Sequence, residues 1–469
     1  MREQKNLWFL TEEKPQEEVI RTIIELFTKD KNCGVFSNNL RIVPLINEDN
    51  KFEFTYQVLG IYCTAIDKIF IKTVSGTSSF VDYLIFYQNE EPTQESIPLY
   101  AIEQTKTDDK ESRNTGVYQR CSKFVFVNHY YHTAKKVMLY SLQVEQKKEP
   151  TQTYIFGTRL LLTLGVLVLG KKLDPDIFTP FTSVDEIIEF KSAMHLAPKG
   201  NVPLTISKSA EDKIRISARL LKEDSLAHDP NIGAVSLIAA VFRKLGYQGE
   251  IEIYNHALEQ RHLAGKRNKF LCIASDLNMT LEGLLLTRVD FAEQYWHYET
   301  KGEKLATIFV HLIVESFTSG YSIFDNHAGC EKSYFCTSDG QHIPLAKYTD
   351  REKYKAGDKT KIVYIPDLVL IDPKGKIIID IEGKKYQCKQ NGIEELKNYL
   401  AFDKFYNKKY YPTFSVTRTV VLYGGTNERI EEVKIGFLLN SNGQMILGIR
   451  APELFRQAIK NLRDYWQIR

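Results

Sequence analysis

The sequence predicts an α/β protein, on three observations. Apolar residues alternate or run together in strand-like stretches over 52–88 and 362–385. Over 16–28, 229–245 and 302–317 they recur instead every three and four residues, the signature of one buried helix face. The two kinds of segment interleave along 469 residues, too many for one ordinary core, so two or three domains are expected.

The elements follow in order. Val19, Ile20, Ile23, Ile24 and Phe27 line one side of a helix at 16–28, with Glu17, Glu18 and Glu25 among its polar positions. FEFTYQVLGIY, KIFIKTV and FVDYLIFYQ then read as strands, NEEPTQES as a loop, and Pro98–Lys106 as a further strand before a helix from Asn114 to Phe126. Leu160–Leu169 is the longest apolar run, about half of what a bilayer requires, and reads as a buried helix or strand. Ser183 with Glu186 forms a capping box opening a helix. Ile232, Val235, Ile238, Phe242 and Leu245 describe another helix, stopped at Gly246 and followed by the strand EIEIY. GEKLATIFVHLIVESF at 302–317 is helical, and 321–361 is mostly polar and loop-like. No internal repeat of solenoid length stands out.

Composition bounds the function. Hydrophobic residues at 43% and charged residues at 26% are ordinary for a globular protein. A net charge of +3 does not announce a polyanion partner, which local basic clusters would have to hold. Seven cysteines, scattered and without a CxxC pair, indicate neither a zinc site nor a disulfide scaffold. With no apolar signal core at the N-terminus, a cytoplasmic protein without membrane association is expected.

The informative stretch is IVYIPDLVLIDPKGKIIIDIEGKK, 362–385. Two β-rich runs flank Asp372-Pro373-Lys374-Gly375-Lys376, a tight connection, which makes a hairpin with Pro366-Asp367 at its entrance. Period two puts Asp380, Glu382 and Lys384 on one face, and Ile377, Ile379 and Ile381 on the other. Two carboxylates and a lysine therefore gather at one sheet end beside Asp367. Phosphodiester hydrolysis requires such a set, since paired carboxylates hold a hard cation and an ammonium meets charge growing on phosphoryl oxygens. Asp367-x14-Glu382-x-Lys384, with Pro366 and Gly383 matching too, resembles the PD-(D/E)XK nuclease superfamily, which includes most type II restriction endonucleases. Family members often add a glutamate on the preceding helix, here Glu315.

The resemblance implies a restriction-endonuclease-like mixed sheet flanked by helices, Mg²⁺ as cofactor, and catalysis by Asp367, Glu382 and Lys384, with Asp367 and Glu382 as metal ligands. A weaker copy lies near the N-terminus. Asp82 opens one strand, and Glu103-Gln104-Thr105-Lys106 ends the next. Strand parity favours Asp82, Gln104 and Lys106, while a bulge would bring in Glu103 as the second metal ligand beside Asp82. A preceding glutamate would come from Glu18 or Glu25, and His129 and His132 read as core or surface residues. Two such nuclease domains, at 1–150 and 301–469, would flank a helix-rich middle segment at 151–300 that reads DNA. This is similar to type IIS enzymes that cut each strand with a different centre.

Donors to double-stranded DNA are expected from Arg113, Asn114 and Arg120 after the first hairpin, Arg261, Lys266 and Arg267 in RHLAGKRNK, and Lys389 after the second. The basic stretch 347–361 and the lysines and tyrosines of 385–411 would add backbone contacts. A cognate DNA methyltransferase is the partner such an enzyme implies, and pairing of two chains is the alternative to two centres in one. Two other readings stand beside this one. They are a defence or repair nuclease acting on RNA or branched DNA, and a non-catalytic DNA-binding protein with a decayed nuclease fold.

Overall fold

The computed structural model describes residues 4–77, 80–105, 115–140, 150–194, 204–210, 212–222, 225–226, 230–263, 269–286, 294–299, 302–326, 334–345, 364–426 and 429–467. The chain divides into two compact units. Unit 1 joins Met1–Ser75 to Tyr298–Arg469, and unit 2 is the continuous stretch Gly76–His297. The division differs from consecutive segments at 1–150, 151–300 and 301–469, because the first seventy-five residues pack with the C-terminal part.

Unit 1 begins with β1 (Lys5–Thr11), α1 (Glu17–Lys31), β2 (Val35–Ile46), β3 (Phe52–Cys63) and β4 (Ile66–Gly76). β2, β3 and β4 pair antiparallel in that order, and β1 lies parallel to β4. The helix expected at 16–28 is α1, with Val19, Ile20, Ile23, Ile24 and Phe27 all buried.

Unit 2 opens with the hairpin of β5 (Tyr83–Tyr87) and β6 (Tyr100–Thr105). α2 (Thr115–Tyr130) then crosses over to β7 (Lys135–Tyr140), parallel to β6, and α3 (Gln152–Leu164) leads to β8 (Leu167–Leu169), parallel to β7. The long apolar run is thus half helix and half strand, divided at Gly165, whose φ of 88° ends the helix. α4 (Val184–Ala193) starts on Ser183, whose Oγ accepts from the Glu186 N–H at 3.1 Å. The Glu186 carboxylate reaches back one residue further than the box requires, to the Thr182 N–H. A second sheet runs β9 (Thr205–Ala210), β10 (Lys213–Ser217), β11 (Glu250–Tyr254) and β12 (Met279–Leu281). Between them, α5 (Pro230–Lys244) stops before Gly246, and α6 (Lys269–Asp276) precedes β12.

The chain returns to unit 1 with α7 (Lys304–Phe317) and β13 (Tyr321–Asp325), a strand inside the stretch expected to be loop-like. The stretch is polar by composition, but Ile323 and Phe324 are buried, and the strand pairs antiparallel with 368–371. β14 (Leu368–Asp372) and β15 (Ile377–Lys385) form the expected hairpin. Asp372 Oδ1 closes its turn by accepting the N–H groups of Lys374 and Gly375, each at 3.0 Å. A crossover beginning with α8 (Lys389–Glu395) leads to β16 (Ser415–Tyr423), parallel to β15. β17 (Ile435–Leu439), β18 (Met445–Leu447) and α9 (Glu453–Gln467) complete the unit, the strands standing in the order β13 to β18.

α7 is apolar almost all round because it is covered on two sides. Phe309 stacks on Phe437 at 5.6 Å and packs against Phe52 at 4.9 Å, so one ring joins β17 to β3. Ser316 Oγ donates to the Ile42 carbonyl at 2.7 Å. Among the described residues no helix is long and apolar enough to cross a membrane.

Candidate active site

β15 rises from the middle of its sheet and carries Glu382, Gly383 and Lys384 at its C-terminal end. Its central residues are buried on both faces. Asp380 shares a face with Glu382 but not its surroundings. It is wholly buried under the crossover, where Asn407 Nδ2 donates to it at 2.9 Å and also reaches Asp403. Burial, then the neighbouring Asp403, pushes its carboxyl up, and Arg418 completes this structural polar cluster. The three groups expected to emerge together are therefore two, Glu382 and Lys384.

Asp367 stands one residue before β14, and its own N–H extends the ladder to the Ile381 carbonyl at 3.1 Å. Its Oδ2 accepts the Gly383 N–H at 2.8 Å, which brings it to Glu382. Gly383 is required there. A Cβ would fall 2.3 Å from Thr307 Oγ1 on α7 and 3.3 Å from Asp367 Oδ2. On the other face Gly392 of α8 makes room for the Lys384 stem, where a Cβ would come within 2.9 Å of Lys384 Cγ.

Glu382 is 4% exposed and fully engaged. Lys384 Nζ donates to its Oε1 and the Tyr399 hydroxyl to its Oε2. Lys384 also meets Glu395 Oε2 at 3.0 Å. Burial pushes Asp367 up to about 6, and burial with the Asp367 charge pushes Glu382 up to about 9. Glu395 moves the other way, below the ordinary range, because Glu382 and Lys384 both donate to it. Glu382 is thus the partner that keeps the proton. Lys384 is held above the ordinary lysine range, its burial outweighed by bonds to the two glutamates.

Glu303, which precedes α7, lies close enough to raise the Asp367 carboxyl. It is the helix acid nearest the centre, whereas Glu315 at the far end of α7 is tied to Lys14, to His311 at 3.0 Å and to Ser322 Oγ at 3.0 Å. The expected site includes neither Glu303 nor Glu395, and Tyr399 is expected only as one of the tyrosines of 385–411 beside DNA, not as a partner of Glu382. Glu395 had a visible signal, an acidic pair at 394–395 interrupting the lysines and tyrosines of that stretch.

In unit 2 the structure brings Asp82 to Glu103 without a bulge, β6 running in even register with β7 from Tyr100 to Thr105. The Gln104 N–H donates to Asp82 Oδ2 at 2.6 Å, while its side chain turns away and accepts from the Tyr83 hydroxyl at 2.8 Å. Gln104 is therefore not the inward group, contrary to the parity expectation. Lys123 of α2, which the sequence offers as a donor to DNA, instead places Nζ 2.9 Å from both oxygens of Glu103. Lys106, Arg113 and Asn114 lie outside the described residues, as do Lys266, Arg267 and all of 347–361. Arg120 is on α2. Glu18 and Glu25 are exposed on α1, which belongs to unit 1.

Arg261 is exposed and pairs with Glu259 at 2.8 Å, and Lys389 pairs with Glu432. His129 meets Asp276 at 2.7 Å beside Cys272, a group whose ligand atoms lie within 4.8 Å of one another.

The donor set of the β15 centre fits a hard divalent cation. Asp367, Glu382, Glu395 and Glu303 offer only oxygen, Lys384 is the cation that meets them among the described residues, and burial pushes the Asp367 and Glu382 carboxyls up, which a bound cation would offset. Comparison with protein-family profiles, curated proteins and solved structures finds no match to the chain.

Proposed function

We propose that this protein is a Mg²⁺-dependent, sequence-specific DNA endonuclease of the type II restriction class, with Asp367, Glu382 and Lys384 at its centre. The carrying observation is that Asp367 and Glu382 converge at one strand end, linked through the Gly383 N–H and met by Lys384, where burial pushes both carboxyls up. Asp367, Glu382 and the adjacent Glu395 would hold the cation, which when bound polarises the phosphate and lowers the pKa of a water.

The chain's own groups do the rest. The Gly383 N–H fixes the Asp367 carboxylate, and Tyr399 fixes Glu382. Lys384, half-buried and kept charged, meets the negative charge that grows on the phosphoryl oxygens. Hydrolysis adds one water across one P–O bond: the water oxygen joins phosphorus, and the ester oxygen leaves and takes a proton. Exposed Lys404, Lys408 and Lys409 on the crossover after the centre support phosphate contacts to double-stranded DNA. A cognate methyltransferase would protect the host's own sites.

The test is supercoiled plasmid with Mg²⁺. Discrete linear bands are expected, abolished by excess EDTA and by Glu382→Ala or Lys384→Ala, with DNA binding retained. A smear would point to a non-specific nuclease, and full cleavage by Glu382→Ala would overturn the assignment.

A further inference from the structure

Unit 2 repeats the construction of the β15 centre step by step. Asp82 stands one residue before β5, as Asp367 stands one before β14. In each hairpin the aspartate Oδ2 accepts a backbone N–H from the partner strand, from Gln104 at 2.6 Å and from Gly383 at 2.8 Å. The residue before each donor is a buried glutamate, Glu103 at 1% exposure and Glu382 at 4%. Each second strand then enters a crossover of one or more helices to a parallel neighbour, through α2 to β7 and through the segment opening with α8 to β16. Each glutamate carries an ammonium.

The source of that ammonium is where the two differ. Lys384 follows its glutamate by two residues on the same strand, and the corresponding place on β6 is the buried Thr105. Lys123 comes instead from α2, 2.9 Å from both Glu103 oxygens and 3.8 Å from Asp82 Oδ1.

We propose that unit 2 holds a second divalent-cation centre for phosphodiester hydrolysis, built from Asp82, Glu103 and Lys123. It rests on the nuclease reading of the first centre. Among the described residues its two carboxylates meet the Lys123 ammonium, and the carboxylates offer only oxygen ligands, as those of the first centre do. A buried ion pair is a poor stabilising device compared with apolar packing, so five shared features on two different sequences, AIEQT and DIEGK, point to a common task. The reaction is the same addition of water across a P–O bond, with Lys123 in the part of Lys384. Two centres in one chain then cut the two strands.

Two readouts on the full-length protein test this. The first is Mn²⁺ uptake at saturation, read by electron paramagnetic resonance. Glu103→Gln is expected to lower it by about half and Glu382→Gln by the other half, since each variant removes one centre's ligand. Unchanged uptake in folded Glu103→Gln protein overturns the proposal. Should that variant unfold, Glu103→Gln with Lys123→Met removes both charges of the buried pair together and is held to the same outcomes.

The second readout is strand-specific mapping of nicks in plasmid DNA. Lys123→Met and Lys384→Met are each expected to leave open circles, nicked on opposite strands, while Lys106→Ala cuts both. Linear product at the wild-type rate from Lys123→Met, or nicking by Lys106→Ala in its place, overturns the assignment of Lys123. If the wild-type chain cuts no nucleic acid, the nuclease reading fails, and the Mn²⁺ count alone decides whether the second centre exists.

Discussion

Gly383 is the residue on which the closure of the first centre depends. Its N–H holds Asp367, and its missing side chain lets Thr307 of α7 approach the strand. Gly383→Ala must push α7 or Asp367 aside, at about 1–3 kcal/mol of stability, with linear product lost as the carboxylates separate. Urea unfolding and plasmid cleavage measure the two effects, and a wild-type rate in this variant would contradict the role given to the glycine. Tyr399 acts more gently. Its ring packs with Leu396, Val420 and Leu422, and only its hydroxyl reaches Glu382. Tyr399→Phe should therefore fold normally and weaken Mg²⁺ dependence or rate by about 10–100-fold, the usual effect of losing a group that orients a ligand. Metal titration of the cleavage rate reads it directly.

At the scale of elements, α7 connects the chemistry to the fold. Its first turns touch the centre through Thr307 and the preceding Glu303, and its last turn is held through Glu315. Burial alone would raise the Glu315 carboxyl, but His311 and Lys14 outweigh it and hold it well below the usual carboxylate range. A depressed folded value means that the stabilisation is full above the ordinary glutamate pKa and lost as pH falls through the folded one. Glu315→Gln should cost about 2 kcal/mol at neutral pH, with the difference from wild type shrinking below about pH 4. Thermal melts at pH 7 and pH 3 check this, and an equal deficit at both would show that the charge is not the cause. Phe309→Ala, which removes the ring shared by Phe52 and Phe437, should cost about 3–5 kcal/mol at any pH.

At the scale of the whole molecule, the β15 centre does not belong to a self-standing C-terminal domain. Residues 298–469 share a unit with 1–75, and Phe52, Ile42 and Pro44 meet Phe309, Ser316 and Trp466 across that sequence distance. A fragment of 298–469 would expose one side of α7 to water. It should bind hydrophobic dye, lack near-ultraviolet circular dichroism and show no cleavage, whereas co-expression with 1–75 should restore a soluble complex. A compact, active 298–469 fragment would show that the N-terminal strands are dispensable.

What the sequence determined by itself was whatever local periodicity and turn chemistry decide. The helices at 17–31, 230–244 and 304–317, the Asp372 turn and its hairpin, and the meeting of Glu382 with Lys384 were legible because each depends on residues within one or two turns of chain. Tertiary structure decided the rest. Period two put Asp380 with Glu382, but only the crossover packed above β15 buries the one and leaves the other at the site. Parity on β6 favoured Gln104, yet the backbone bond from Gln104 to Asp82 sets which neighbour faces in, and that bond joins residues twenty-two apart. Lys123 and Glu303 reach the two centres from helices, across distances that no spacing rule on a strand encodes. The charge on a buried carboxylate depends on everything folded around it, and that surrounding set is assembled only when distant segments pack.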